Sequence, residues 1–268
     1  MKLAPYSLPL YLLNNLHNAT SVWNIVKVSF GQNNSFHRIT PENTLEVFYP
    51  QGSYSPSKVP GGIGFFASPR RVFVSDDVLL EYEVRFHPSF DPVLGGKLPG
   101  LFIGKGTTKQ DMTGASGGVH SDTTSIRVAW RSNFQAEAYV YLPQPQHPDY
   151  YEIEGLRIND VYGDSLWRGL LNFEQDAWNK VSVRITLNGF KSNPSLTDEN
   201  DVPRADGKLV LSINNKTQTF GKMIWRTSPE YHISALLFET FFGGSTPKYA
   251  TPVDTWSYFR NVKVTSFD

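Results

Sequence analysis

The chain has 268 residues, no cysteine and a balanced charge of 25 basic against 25 acidic side chains. The balance excludes the overall positive field typical of nucleic-acid binders and of proteins that bind anionic membranes. The lack of cysteine excludes disulfides, thiolate catalysis and Cys-ligated metals. No run of about 18 apolar residues is present, so we expect no membrane-spanning segment.

The first half of the chain contains some segments with a weak strand pattern and others with a clear one. Residues 23–30 predict a short helix or strand, residues 45–49 predict a strand, and the Gly/Pro/Ser-rich residues 49–62 predict a loop. Residues 78–86 alternate apolar and charged side chains, which is typical of a strand with one wet face. After it, the pair Gly95-Gly96 allows a positive φ or a close backbone approach just before Lys97.

A predicted β-hairpin over residues 125–142 carries the main candidate site. Its apolar side chains are Ile126, Val128, Trp130, Ala138, Val140 and Leu142, and its polar ones are Ser125, Arg127, Arg131, Glu137, Tyr139 and Tyr141. The apolar faces match only when paired positions sum to an even number, because a one-residue slip would turn half of the hydrophobic side chains to water. The tightest such register sums to 266 and pairs Arg127 with Tyr139 and Ser125 with Tyr141. We therefore expect a guanidinium, a hydroxyl and two phenols on one open sheet face, with paired Cβ atoms roughly 5 Å apart.

The second half continues with strand patterns at short intervals. Residues 181–187 and 209–213 alternate, residues 233–242 are apolar on both faces as in a central strand, and residues 258–264 close the chain. We find no internal repeat, no linker and no long helical period. The sequence therefore predicts a single domain, residues 1–268, with an all-β jelly-roll sandwich of two antiparallel sheets.

Other residues have the types required for hydrolysis, calcium binding or glycosylation. Glycosidases need two carboxylates about 5 to 9 Å apart, and Glu81 with Glu83 or Glu152 with Glu154 are candidate pairs, although solvated surface residues are the simpler interpretation. The six histidines are scattered, and His87 is the best placed of them, at the end of a strand near Lys97. The acidic loop 198–206 has the residue types of a calcium site but also those of a solvated loop. Three glycosylation triplets begin at Asn18, Asn33 and Asn215.

The order of several motifs resembles the alginate-lyase-type and glucuronan-lyase-type enzymes of polysaccharide lyase family 14. These motifs are YPQGSYSPS (49–57), GGKLPG (95–100), SGG (116–118), S-x-R (125–127), Y-x-Y (139–141) and FFGGS (241–245). The resemblance implies a jelly roll that cleaves uronic-acid polysaccharides by β-elimination across a concave sheet. By motif it implies that the catalytic groups are Lys97, Ser125, Arg127, Tyr139 and Tyr141. The chain departs from many relatives at Ala115, where they have a cysteine before SGG.

The chemistry requires groups of these types. The C5 proton is acidic only if the neighbouring carboxylate is neutralised, which Lys97 or Arg127 can do. A base takes that proton and an acid protonates the leaving O4, and neighbouring positive charge favours the phenolate form of Tyr139 or Tyr141. The residues leave open which tyrosine acts as the base. The mechanism needs no metal or organic cofactor.

The predicted function is therefore a secreted, monomeric lyase acting on alginate or glucuronan. Its partner is an acidic polysaccharide, not a nucleic acid or a membrane. Further substrate contacts are assigned to Arg131 and Lys248, and sugar platforms to Trp256 and Tyr258 beside the FFGGS segment. A non-catalytic carbohydrate-binding sandwich and a glycoside hydrolase remain the alternatives.

Overall fold

The computed structural model describes residues 6–8, 22–31, 37–55, 59–69, 74–113, 123–191 and 202–267. Some predicted features lie outside these residues. They are the SGG motif with Ala115, part of the 49–57 motif, residues 198–201 of the acidic loop 198–206, and the triplets at Asn18 and Asn33. Asn215 itself lies in the exposed turn between two strands, and the other two residues of its triplet begin the second strand.

The described residues form seventeen strands and three short 3-10 helices. The strands are β1 (Tyr6–Ser7), β2 (Ile25–Phe30), β3 (His37–Ile39), β4 (Leu45–Tyr49), β5 (Ile63–Ala67), β6 (Asp77–Phe86), β7 (Gly96–Gly104), β8 (Thr124–Trp130), β9 (Gln135–Tyr141), β10 (Asp164–Asn172), β11 (Asn179–Thr186), β12 (Phe190–Lys191), β13 (Val202–Pro203), β14 (Gly207–Ile213), β15 (Lys216–Met223), β16 (His232–Phe242) and β17 (Thr255–Ser266). The 3-10 helices are Ser132–Phe134, Pro148–Glu152 and Pro247–Tyr249.

Two large antiparallel sheets pack face to face, as predicted for a jelly roll. The first, which we call the front sheet, has the order β10-β9-β8-β7-β16-β5-β2. The second, the back sheet, has the order β15-β14-β11-β6-β17-β4-β3, with β1 also paired to β17. No helix in the described part of the chain is long and apolar enough to cross a membrane.

The alternating side chains divide each strand between the core and an outer face. In β6, for example, Leu80, Tyr82 and Val84 are buried in the core, whereas Glu81 and Glu83 are only half-buried on the outer face of the back sheet. Strand β16 is buried along most of its length, as predicted for a central strand, because it lies between β7 and β5 and is covered on both faces. The main core lies between the two sheets, and the polar side chains of the front sheet point away from it.

Candidate active site

The central hairpin has the predicted register. Strands β8 and β9 pair Ser125 with Tyr141 and Arg127 with Tyr139. The turn is the 3-10 segment Ser132–Phe134, in which Asn133 takes a left-handed φ of 58°. The apolar side chains of both strands belong to the main core, whereas Tyr139 and Tyr141 form a separate small cluster with Ala129 on the outer face. The polar groups therefore lie on the face that the parity of the register predicts.

Strand β7 brings Lys97 to the same face. Gly95 has a φ of 134°, and an added Cβ would lie 2.6 Å from the Trp130 carbonyl oxygen, so a glycine is required there. Lys97 then pairs with Ala129 on β8, and the register shifts between Leu98 and Gly100. Such an irregularity accommodates Pro99, which cannot donate a ladder hydrogen bond in a central strand.

Lys97, Tyr139 and Tyr141 lie on the floor of a cavity, not on the open sheet face that the sequence predicts. The cavity has a volume of about 800 Å³. Tyr139 is only 8% exposed and Tyr141 6% exposed. Residues 157–159, 162 and 163 line the same cavity, and the backbone N–H of Gly163 donates to the Tyr139 hydroxyl at 3.1 Å. The cavity lining comprises Ser55, Leu94, Lys97, Arg131, Ser132, Gln135, Tyr139, Tyr141, Arg157, Ile158, Asn159, Tyr162, Gly163, Ser165, Arg168, Phe241, Gly243, Gly244, Ser245 and Tyr249.

Lys97 and Tyr139 are in direct contact. The Lys97 Nζ atom lies 3.8 Å from the centroid of the Tyr139 ring. Burial lowers the pKa of Lys97 well below its usual value, and the nearby guanidinium of Arg131 lowers it further, while Glu137 acts in the opposite direction. Burial also raises the pKa of Tyr139, and Tyr141 adds to this. The expectation that positive charge would favour the phenolate is therefore wrong for Tyr139, because desolvation outweighs the effect of Arg131.

A buried carboxylate binds two of the arginines that line the cavity. Glu137 is completely buried and accepts hydrogen bonds from the Nε atoms of Arg131 and Arg168, each at 2.7 Å, and from the Ser165 hydroxyl at 2.8 Å. Burial alone would raise the pKa of Glu137, but the two guanidinium groups outweigh burial and leave the pKa below its usual value. Glu137 is therefore an anion that holds two cations at the cavity wall.

A bulge in β10 aims Arg168 toward this network. The pairing of β10 with β9 shifts register between Leu166 and Leu171. Within that bulge Trp167 has a φ of 64° and Gly169 a φ of 86°. A β-bulge re-aims a side chain relative to a regular strand, and here the affected side chain is that of Arg168.

Arg127 and Ser125 are buried and are not among the lining residues of the cavity. The Nε and one terminal nitrogen of Arg127 contact Glu239 Oε2, both at 2.8 Å, and the other terminal nitrogen lies 3.4 Å from the Ser125 hydroxyl. The Arg127 guanidinium lies 5.8 Å from the centroid of the Tyr141 ring. Arg127 is therefore a neighbour of Tyr141, and the arginines that line the cavity are Arg131, Arg157 and Arg168.

Three of the residues predicted to bind substrate are placed differently. Trp256 and Tyr258 are on β17 of the back sheet and line another cavity, so the prediction that they flank the same site is wrong. The pattern at 255–259 correctly indicates alternation but does not show to which sheet the strand belongs. Lys248 is exposed in the 3-10 helix Pro247–Tyr249, and its neighbour Tyr249 lines the cavity instead. Arg131 lines the cavity as predicted.

The other candidates also lie elsewhere. Glu83 is on β6 of the back sheet, where it binds Arg260 at 2.6 Å, and the pair Glu152 and Glu154 is exposed. His87 is part of the second cavity, together with Trp256. No cluster of metal-ligating side chains occurs among the described residues.

Sequence reasoning missed three residues of the site. Glu137 was recognised only as a polar-face residue, although its position two residues before Tyr139 indicated that it shares a face with the tyrosines. Glu239 is the single charged residue in the apolar segment 233–242, which is itself a signal, because a buried charge requires a partner. Arg168 had no sequence signal, since its orientation depends on the bulge.

Two packed antiparallel sheets with a cationic and aromatic cavity on one outer face define a β-jelly-roll protein with a site for an anionic ligand. A family model described as Polysaccharide lyase 14 matches residues 38–262, and the chain belongs to this family. The resemblance seen in the motifs is thereby confirmed.

Individual relatives are distant in sequence but similar in fold. The marine PL-14 alginate lyase from Aplysia kurodai is 25% identical and has a TM-score of 0.81 over 100% of both chains. An alginate lyase solved in complex with an alginate trisaccharide is 23% identical, with a TM-score of 0.71 over 98% of this chain and 99% of that chain. Exolysin of Paramecium bursaria Chlorella virus 1 is 22% identical over 207 residues, which are 72% of this chain. The match covers only 30% of that viral protein.

Proposed function

We propose that this protein is a polysaccharide lyase that cleaves alginate by β-elimination, with a preference for mannuronate. The observation that carries the proposal is the contact between Lys97 and Tyr139 on a cavity floor walled by arginines. Family membership and the similarity to the Aplysia alginate lyase support the same reaction class.

Each step of the elimination has a group in the cavity. Arg131 and Arg168 are held by Glu137 at the cavity wall, where their charge can neutralise the uronate carboxylate and make the C5 proton acidic. Lys97, whose pKa is lowered, takes that proton as a neutral amine. The electron pair of the C5–H bond forms the C4–C5 double bond, and the C4–O4 bond breaks. Tyr139, whose pKa is raised, keeps its proton and donates it to the departing O4.

The position of the proposed base and acid on one face of the sheet supports mannuronate as the substrate. Lys97, Tyr139 and Tyr141 all rise from the outer face of one sheet, so they approach a sugar chain lying on that sheet from the same side. In mannuronate and glucuronate the C5 proton and O4 lie on one side of the ring, whereas in guluronate they lie on opposite sides. A base and an acid in contact therefore fit the first geometry.

The cavity does not fit a glycoside hydrolase. Hydrolases need two carboxylates facing the scissile bond, and none of the described residues that line the cavity is an aspartate or glutamate. Glu137 and Glu239 lie close by but are bound to arginines. A simple binding module would not require a lysine with a lowered pKa beside a tyrosine with a raised pKa. Because a polymeric substrate cannot enter a cell intact, an extracellular location forms part of the proposal.

The test is to incubate the protein with polymannuronate, polyguluronate and glucuronan and to follow the absorbance of the unsaturated product. Polymannuronate should be cleaved fastest. Lys97→Ala and Tyr139→Phe should lower kcat by about 10²–10⁴-fold, whereas Tyr231→Phe should not, because Tyr231 lies near the opposite end of β7 from Lys97. Reducing ends without unsaturation would establish a hydrolase, and binding without any product would establish a binding module.

A further inference from the structure

A row of aromatic and basic side chains crosses the outer face of the back sheet, on the side of the molecule opposite the candidate active site. We call it the back row. It consists of Phe48, Trp256, His87, Tyr258, Arg85 and Trp178. The residues come from β4, β17, β6 and the segments just after β6 and just before β11, so four neighbouring strands align them.

The rings of the back row follow one another at contact distance. The centroids of Phe48 and Trp256 are 5.2 Å apart, those of Trp256 and His87 are 5.2 Å apart, and those of His87 and Tyr258 are 6.4 Å apart. Each of these four rings is half-buried, and they line a cavity of about 430 Å³ together with His37, Arg38 and Glu46. Half-buried aromatic rings in a line are suited to pack against the apolar faces of successive sugar rings.

Arg85 extends the row and adds positive charge. Its guanidinium lies 4.7 Å from the centroid of the Tyr258 ring and 5.5 Å from that of Trp178. Among the described residues its buried Nε atom has no hydrogen-bond partner, although buried polar groups in proteins are nearly always hydrogen-bonded. Glu46, which lines the same cavity, is bound by Arg38, and Glu83, which lies beside the row, is bound by Arg260, so neither carboxylate is left unpaired. Within the described ranges no carboxylate is paired with Arg85, which is half-buried, so its terminal nitrogens rather than the buried Nε are placed to donate to a carboxylate from outside the chain.

From this arrangement we infer that the back row is a second, non-catalytic binding site for an acidic polysaccharide. Its occupant is a stretch of uronate polymer whose rings stack on Trp256 and Tyr258 and whose carboxylates reach Arg85. The polymer class rests on the proposed function, since it is the class proposed as the substrate. The two sites face away from each other, so one chain segment cannot occupy both, and the back row acts by tethering the protein to the polymer and raising the local substrate concentration.

The experiment measures retardation of the native protein in gels that contain polymannuronate, with hydroxyethyl cellulose as the neutral control polymer. Lys97→Ala is used as the background so that the polymer is not cleaved. Trp256→Ala and Arg85→Gln are introduced separately into this background, and the glutamine keeps much of the packing of the Arg85 side chain. Lys208→Gln is the matched control, because Lys208 is an exposed cation on β14 of the same sheet, outside the row. Thermal melting of each variant shows that it is folded.

We expect Trp256→Ala and Arg85→Gln each to weaken the apparent Kd for polymannuronate about tenfold, with Lys208→Gln unchanged and no retardation by the neutral polymer. Equal retardation of all variants would overturn the inference, as would an equal loss in Lys208→Gln. The two proposals fail in different ways. If the wild-type protein makes unsaturated product but Trp256→Ala does not change the retardation, only the second site is refuted. If no uronate polymer is cleaved but retardation still depends on Trp256 and Arg85, only the lyase is refuted.

Discussion

The substitution Glu137→Gln tests the electrostatic design of the cavity most directly. The amide has the shape of the carboxylate but no charge. The guanidinium groups of Arg131 and Arg168, which now share the Glu137 anion, would therefore lie close together with no anion between them. Glu137 also raises the pKa of Lys97. Its loss should therefore destabilise the fold and lower the pKa of Lys97 further.

The size of the stability effect follows from burial. Removing one partner of a buried ion pair costs about 3–5 kcal/mol. The side chain of Glu137 is 0% exposed and that of Arg131 11% exposed, but that of Arg168 is 34% exposed, so water can compensate part of its charge. We therefore expect about 3 kcal/mol, the lower end of the range, which corresponds to a shift of roughly 1 M in the urea midpoint at an m-value of roughly 3 kcal/mol/M.

Urea unfolding at neutral pH and a pH profile of kcat/KM on polymannuronate measure the two effects. The acid limb of the profile should move to lower pH in Glu137→Gln, because Lys97 then loses its proton more easily. Glu83→Gln is the control. Glu83 also binds an arginine from a strand, but on the outer face of the back sheet, and should cost about 1 kcal/mol or less without moving the limb. An unchanged midpoint and an unchanged acid limb in Glu137→Gln would refute the reasoning.

Three further predictions concern the base, the packing of β7 and the buried ion pair. If Lys97 is the base, kcat/KM rises as the pH increases through its lowered pKa, since only the neutral amine accepts a proton; activity that falls over this range would show that Lys97 acts as a cation. Gly100→Ala should destabilise the protein by about 1–3 kcal/mol in urea unfolding, because its Cβ would lie 1.9 Å from the Ile126 carbonyl oxygen. The control Gly221→Ala should change the stability by no more than about 0.5 kcal/mol, because no atom lies within 4 Å of its Cβ. Glu239→Gln should cost about 3 kcal/mol by the same measurement, because it removes the carboxylate that contacts Arg127 at 2.8 Å; a wild-type midpoint would contradict this.

Local alternation was sufficient to predict the hairpin. The side-chain period of 2 and the need to bury one face allow a single parity of register, and the observed pairs Ser125–Tyr141 and Arg127–Tyr139 follow from it. The same reasoning predicted β6, β11, β14 and the central position of β16. Lys97 required more than alternation, because it lies on another strand, and its place in the site was implied only by the family motif.

The positions of Trp256 and Tyr258 could not be predicted from local alternation alone. Alternation along β17 indicates that both side chains share a face, and they do. Whether a strand joins the front or the back sheet depends on contacts between segments far apart in the chain, which no local pattern contains. The family motif beside them was in the front sheet, and proximity in sequence was a poor guide across the intervening loop.

The sequence by itself determined the all-β class, the strand faces, the hairpin register and, through its motifs, the family. Only the tertiary structure decided that the predicted open face is a cavity floor, that Glu137 joins Arg131 to Arg168, and that Arg127 is bound to Glu239 and does not line the cavity. The physical reason is the range of the interactions. Side-chain alternation acts between neighbours in the chain, whereas burial, ion pairing and the resulting pKa shifts of Lys97 and Tyr139 depend on groups brought together from different strands.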